Sequence, residues 1–113
     1  PKFSKRKSQA IADKIKRSAA VVLICMKRDE KESVPEWEEI AATAMAVQNL
    51  WLTATEMDLG GYWSTPAYVS QIGDFISMEE GETCLGLFYL GAFEGSTPTR
   101  EPGDWREKVQ WYD

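Results

Sequence analysis

The sequence predicts a single α+β domain, because two short apolar segments of strand character flank one long helical segment. The strand-like segments are residues 19–26 and 84–91, and both are apolar along their length. The helical segment covers residues 36–58. With 113 residues the chain has the size of one domain, so residues 1–113 are expected to fold as one unit.

The first predicted elements are a short helix and a buried strand. Ser8 is a suitable cap for a helix in which Ile11 and Ile15 lie one turn apart among charged residues. Residues 19–26 follow without any alternation of polar and apolar side chains, which is typical of a strand covered on both faces. A charged loop over residues 27–32 separates this strand from the long helix.

The long helix has signals for its start and its end. Ser33 and Glu36 have the spacing of a capping box, with Pro35 in the first turn. The pair Gly60-Gly61 is expected to end the helix after about Asp58. Apolar residues cover more than one face, so the helix is predicted to be central and to bury a second face in a partner chain.

Residues 61–65 are predicted to form a turn that presents backbone N–H groups and a serine hydroxyl to a planar ligand. A plain connection with Trp63 as a core residue is the alternative. Residues 68–78 have helical spacing, and residues 105–113 end the chain with the alternation of a short strand. Two strands do not make a sheet core, so a missing N-terminal part or a partner chain is expected to supply the rest of the sheet.

Composition and charge exclude several classes of function. The net charge is −5, with the basic residues concentrated in the first twenty positions, and the acidic remainder excludes nucleic-acid binding. No apolar stretch approaches the roughly 20 residues of a membrane span. The absence of histidine removes histidine-based triads, general bases and metal sites. Cys25 and Cys84 lie in apolar runs without CxxC spacing, as buried reduced thiols of a cytoplasmic protein do.

Arg100 is the candidate for contact with a phosphate, because it stands just past the second strand and guanidinium groups suit bidentate phosphate binding. A solvated loop residue is the alternative. The glutamates at positions 79, 80 and 82 lack the ligand spacing of a cation site. No metal site is therefore predicted.

Four segments resemble, in order and spacing, the C-terminal half of the nitroreductase family of flavin enzymes, and together they span most of the chain. They are Val34-Pro35-Glu36-Trp37, Ala46-Val47-Gln48-Asn49-Leu50, Leu59-Gly60-Gly61-Tyr62-Trp63-Ser64 and Gly86-Leu87-Phe88-Tyr89-Leu90-Gly91.

This resemblance implies a nitroreductase-like α/β sandwich, with a mixed sheet flanked by helices, in a homodimer that binds FMN at its interface. It also implies that NAD(P)H reduces the flavin and that a nitroaromatic, a quinone or a similar electron-poor substrate then takes the electrons. Trp63, Ser64 and Thr65 correspond to the turn beside the flavin ring, and Arg100 to the residue at the FMN phosphate. No catalytic side chain is required, because the cofactor carries the reaction.

The chain departs from the family pattern at two places. The Arg- and Ser-rich N-terminal segment of the family has no counterpart, and Ala92-Phe93 stands where Tyr-Pro is frequent. We therefore expect a partial domain, and a non-catalytic dimerisation or binding module that has lost the flavin site is the alternative function. A CoA-binding acyltransferase is disfavoured, because no Gly-rich pyrophosphate loop opens a helix.

Overall fold

The computed structural model describes residues 5–95 and 99–113. Two α-helices, three strands and two 3-10 helices follow one another along this part of the chain. In chain order they are α1 (Lys5–Arg17), β1 (Ala20–Lys27), α2 (Glu36–Glu56), β2 (Leu59–Ser64), the 3-10 helix η1 (Ala67–Asp74), β3 (Glu82–Ala92) and the 3-10 helix η2 (Trp105–Lys108).

The three strands form one sheet in the order β1-β3-β2, and both neighbouring pairs are antiparallel. The two predicted strands are confirmed as β1 and β3. The expectation of a mixed sheet is wrong for the residues that the structure describes, because each strand runs opposite to its neighbour. The central position of β3 gives its backbone groups partners on both edges, and its middle holds the most deeply buried of the described residues.

Strand β2 was not predicted from the sequence. Gly60 and Gly61 were expected to end the long helix, but they lie within β2 and pair with Gly91 and Leu90. The helix ends at Glu56 with Met57 as its C-cap residue, and the left-handed step is taken by Asp58, with a φ of 56°. Aspartate tolerates this backbone conformation better than most residues.

Helix α2 covers one face of the sheet, and a core of Ile24, Val47 and Phe88 lies between them. The 3-10 helix η1 contacts β3. Lys14 of α1 places its Nζ 5.1 Å from the ring centre of Tyr62. By strand alternation Tyr62 points to the face opposite Trp63, so Lys14 lies on the face that α2 does not cover. No helix among the described residues has the length and apolar character to cross a membrane.

The first turn of α2 is held by Glu39 instead of the predicted capping box. Pro35 is the N-cap residue, and no side chain caps the helix. The carboxylate of Glu39 accepts hydrogen bonds from the guanidinium of Arg28 and from the N–H of Asp29, the latter at 2.8 Å. These contacts tie the end of β1 to the start of α2 and reduce the need for a capping hydroxyl.

Only Val47 and Ala54 of α2 are buried, and a second, apolar face of this helix points to solvent. Trp37, Met45 and Leu52 are between 59 and 66% exposed on this face. Positions 45 and 52 are seven residues apart, which places them on the same side of the helix. The broad apolar surface predicted from the sequence is therefore present on the helix.

The segment after β3 contradicts the sequence prediction of a terminal strand. Trp105–Lys108 forms η2, and residues 109–113 have no regular secondary structure. Asp104 caps this short turn by accepting a hydrogen bond from the N–H of Arg106 at 2.9 Å. The alternation of Val109 and Trp111 does not produce a strand, because no described strand pairs with this segment.

Candidate functional site

The candidate site is built on a bulge in the central strand. Ile24 pairs with Gly86 and Cys25 pairs with Cys84, so Leu85 has no partner on β1. Gly86 has a φ of 151°, and a β-carbon at this position would lie 2.2 Å from Nε1 of Trp63. The absence of a side chain at position 86 therefore lets the indole of the neighbouring strand approach the bulge.

Two predicted site residues converge on the carbonyl oxygen of Leu85. The Nε1–H of Trp63 donates to this oxygen at 3.3 Å, and the hydroxyl of Thr65 donates to it at 3.4 Å. The bulge supplies this shared acceptor at the point where β2 ends. Trp63 is half-buried and also packs against the core formed by Ile24, Val47 and Phe88. It is thus both a core residue and an anchored residue.

The turn predicted over residues 61–65 is only partly correct. Residues 61–64 belong to β2, and the chain leaves the sheet at Thr65 and Pro66. Ser64 pairs with Leu87 and, by strand alternation, directs its side chain to the face opposite Trp63. Thr65 is exposed, and within the described residues no backbone hydrogen bond uses its N–H. The exit of β2 therefore offers one free donor beside a fixed aromatic ring.

Arg100 forms no hydrogen bond or ion pair with this group among the described residues. It is exposed in irregular backbone, just beyond residues 96–98, which are outside the described residues. Three of the four predicted site residues are consecutive at the end of β2, and the role of Arg100 stays a prediction.

A cluster on the opposite face of the sheet, beside Trp63 in sequence, was missed by sequence analysis. Tyr62 and Tyr89 stack with ring centres 5.2 Å apart, and Nζ of Lys14 lies 5.3 Å from the centre of the Tyr89 ring. Burial, followed by the neighbouring Tyr68, raises the pKa of Tyr89 to about 12, so its phenol stays protonated at neutral pH. This cluster borders an open cavity of about 310 Å³. The stacking was not predictable without the pairing of β2 with β3.

Comparison with known proteins agrees with this architecture. The model of the nitroreductase family matches residues 1–92. The chain belongs to the nitroreductase family. The resemblance predicted from the four sequence segments is thereby confirmed. Trp63, Ser64 and Thr65 lie within the matched residues, whereas Arg100 lies beyond them.

A solved structure, described as the nitroreductase-like family protein from Bacillus cereus, has the same fold as this nitroreductase family member. The two superpose with a TM-score of 0.79 at 22% sequence identity, over 97% of this chain. The chain spans 62% of the length of that structure. Comparison with curated proteins finds no match. At this low sequence identity, the structural similarity establishes that the two proteins share a fold.

Proposed function

We propose that this chain acts in an FMN-dependent oxidoreductase that transfers electrons from NAD(P)H to nitroaromatic, quinone or similar electron-poor substrates. Membership of the nitroreductase family supports a flavin-dependent oxidoreductase. Trp63 and Thr65 are proposed as flavin-binding residues because both donate hydrogen bonds to the carbonyl of Leu85. This convergence holds the predicted flavin turn in one conformation.

The residues at the exit of β2 fit one edge of a planar, polar ring system. Trp63 is held by its hydrogen bond to Leu85 and by the core, so it needs no reordering on binding. The N–H of the exposed residue Thr65 is available as a donor beside the indole, whereas the Ser64 hydroxyl points to the opposite face of the strand, and its contact with the flavin stays a prediction. FMN, when bound, supplies the redox chemistry. The contribution proposed for these residues is to orient the ring and to exclude water from one side.

The cofactor proposal is tested by titrating FMN and riboflavin into the wild-type protein and into Arg100→Ala. A guanidinium at the phosphate contributes about 1.5–3 kcal/mol, so the variant is expected to bind FMN roughly ten- to a hundredfold more weakly. Riboflavin lacks the phosphate, and its affinity is expected to stay unchanged. Arg106→Ala is the matched control, because it removes an exposed arginine from the same C-terminal segment. Equal weakening of both flavins would move Arg100 away from the phosphate.

Activity is tested by following NAD(P)H absorbance after FMN and a quinone or nitroaromatic acceptor are added. Consumption that depends on both FMN and the acceptor is expected. The alternative function is a dimerisation or binding module without a flavin. Failure of FMN and riboflavin to bind a folded, dimeric protein would support this alternative.

We also propose that the exposed apolar face of α2 forms a homodimer interface in the cytoplasm. Met45 and Leu52 are 64 and 59% exposed on one side of the helix, and a second copy would remove this apolar area from water. Leu52→Glu is expected to convert dimer to monomer in light scattering, because it places an unpaired charge in the interface. Gln71→Glu adds the same charge at an exposed position of η1 and is expected to leave the dimer intact. A dimer that survives Leu52→Glu would place the interface elsewhere.

A further inference from the structure

The only two cysteines of the chain lie opposite each other on adjacent strands. Cys25 of β1 and Cys84 of β3 are direct partners in the antiparallel register, and both thiols are free. Directly opposed residues of an antiparallel pair point to the same face, with β-carbons about 4.5–5.5 Å apart. A disulfide requires β-carbons about 3.5–4.5 Å apart. A small approach of the two strands is therefore enough to bridge them.

The backbone beside the cysteines is suited to such an approach. The pairing of β1 with β3 shifts between Ile24 and Cys25, and the bulged residue Leu85 directly follows Cys84. A bulge locally interrupts the regular ladder and changes the strand direction. The thiol of Cys84 donates a weak hydrogen bond to the carbonyl of Gly86, at 3.5 Å. A small movement at this position breaks few strong contacts.

The two thiols differ in access to solvent. Cys25 is half-buried, whereas Cys84 is buried with 9% of its surface exposed. A reagent from solution therefore reaches the sulfur of Cys25 first, and Cys84 lies behind it as a second thiol. This is the arrangement of an attacking cysteine with a resolving cysteine.

We propose that Cys25 and Cys84 form a dithiol modification site, where a small-molecule disulfide is reduced to two thiols and the two cysteines become a cross-strand disulfide. The thiolate of Cys25 attacks one sulfur of the reagent, whose S–S bond breaks and releases the first thiol. The thiolate of Cys84 then attacks Sγ of Cys25, the mixed disulfide breaks, and the second thiol leaves. The two cysteines together lose two electrons and two protons, which the two released thiols carry.

The surroundings of Cys25 set the conditions for this reaction. Its pKa is raised, first by burial, then by the neighbouring Cys84 and by the negative charge of Glu82. Because the thiolate is the attacking species, the reaction is expected to be slow at pH 7 and to accelerate about tenfold per pH unit up to the pKa. The charge of Glu82 disfavours an anionic reagent. A neutral disulfide is therefore the suitable probe.

The experiment treats the 113-residue chain with 2-hydroxyethyl disulfide at pH 7, 8 and 9, then alkylates the unfolded product with N-ethylmaleimide. Untreated protein is expected to take up two maleimides and treated protein none, with a mass loss of two hydrogens. A peptide map without reducing agent is expected to contain one cross-linked pair, joining Cys25 to Cys84.

Two serine variants test the order of the steps. In Cys84→Ser the resolving thiol is missing, so one hydroxyethylthio group is expected to remain on Cys25. In Cys25→Ser the remaining thiol is buried, and it is expected to react at least tenfold more slowly. Circular dichroism of each variant confirms that it is folded, and if one is not, the peptide map of the wild-type protein decides. Two persistent free thiols at pH 9, a stable mixed disulfide on the wild-type protein, or disulfide-linked dimers would overturn the proposal.

Discussion

The centre of β3 and the segment after it are both rich in large apolar residues, but the former are buried and the latter are exposed to solvent. Leu87, Phe88 and Tyr89 are 3, 0 and 4% exposed. Trp111 and Tyr112, near the end of the chain, are 82 and 83% exposed. Composition alone therefore does not decide which apolar residues form the core. The decisive difference is that β3 has a strand on each side.

The strand partners of β3 also provide its side-chain contacts. Phe88 lies opposite Val22 on β1 and Trp63 on β2, and it meets the ring of Trp51 on α2 edge to face, with ring centres 5.3 Å apart. Trp111 has no stacking partner within the described residues. Hydrophobic burial stabilises a residue only when neighbouring elements remove it from water. Among the described residues, no element covers Trp111 and Tyr112 in this way.

The largest expected effect comes from removing an aromatic ring in each region. Phe88→Ala is expected to lower the free energy of unfolding by about 3–5 kcal/mol, because it empties the centre of the core. Trp111→Ala is expected to change it by no more than about 0.5 kcal/mol. Urea unfolding followed by circular dichroism measures both values. Similar losses in the two variants would show that the tail packs in solution, and would remove the contrast.

A smaller effect is expected from adding a methyl group to one glycine in each region. Gly86→Ala is expected to cost about 1–3 kcal/mol, because the new β-carbon lies 2.2 Å from Nε1 of Trp63 at a φ of 151°. Gly103→Ala is expected to leave stability nearly unchanged, because no atom of the described residues lies within 4 Å of its added β-carbon. Urea unfolding again gives the comparison. Because Gly86→Ala displaces Trp63, it is also expected to weaken flavin binding, and unchanged flavin affinity would separate the bulge from the proposed site.

The smallest expected effect on stability comes from two arginine–carboxylate pairs. The ion pair of Arg28 and Glu39 joins the end of β1 to α2. In the exposed tail, Nη1 of Arg106 lies 3.5 Å from Oδ1 of Asp104. The pKa of Glu39 is lowered, first by the N–H of Asp29 and then by Arg28. A carboxylate with a lowered pKa stabilises the fold above the ordinary glutamate pKa of about 4.3, and this contribution is lost as the pH falls through the folded-state value.

The wild-type protein is therefore expected to lose more stability than Glu39→Gln between pH 7 and pH 3. Asp104→Asn is expected to retain the wild-type pH dependence, because an exposed pair in the tail contributes little. Thermal unfolding at several pH values checks both expectations. If Glu39→Gln and the wild-type protein had parallel pH profiles, the pair between β1 and α2 would not be formed in solution.

The sequence predicted the elements whose local signals agree with their surroundings. The apolar runs became β1 and β3, and the capping and periodicity signals located α2 correctly to within about two residues. The signals failed at residues 59–64, where two glycines reduce strand propensity and are typical of a helix end. The free edge of β3 overrides this preference by offering six paired positions to β2.

The candidate site also has one part that the sequence predicts and one part that only the structure shows. Trp63, Ser64 and Thr65 were identified from the order of short segments, and that order is a property of the sequence alone. The anchoring of Trp63 was not predictable, because it depends on a bulge at Leu85 that forms only when β1, β2 and β3 meet. Gly86 was the available signal, since a glycine inside an apolar strand often marks a bulge or a close approach.

The sequence by itself thus determined the family, the long helix and two of the three described strands. Those properties follow from local periodicity and from short ordered segments. Only the tertiary structure decided that residues 59–64 are a strand, that Cys25 faces Cys84, and which apolar residues form the core. The physical reason is that pairing and burial depend on residues far apart in the chain, which no local pattern specifies.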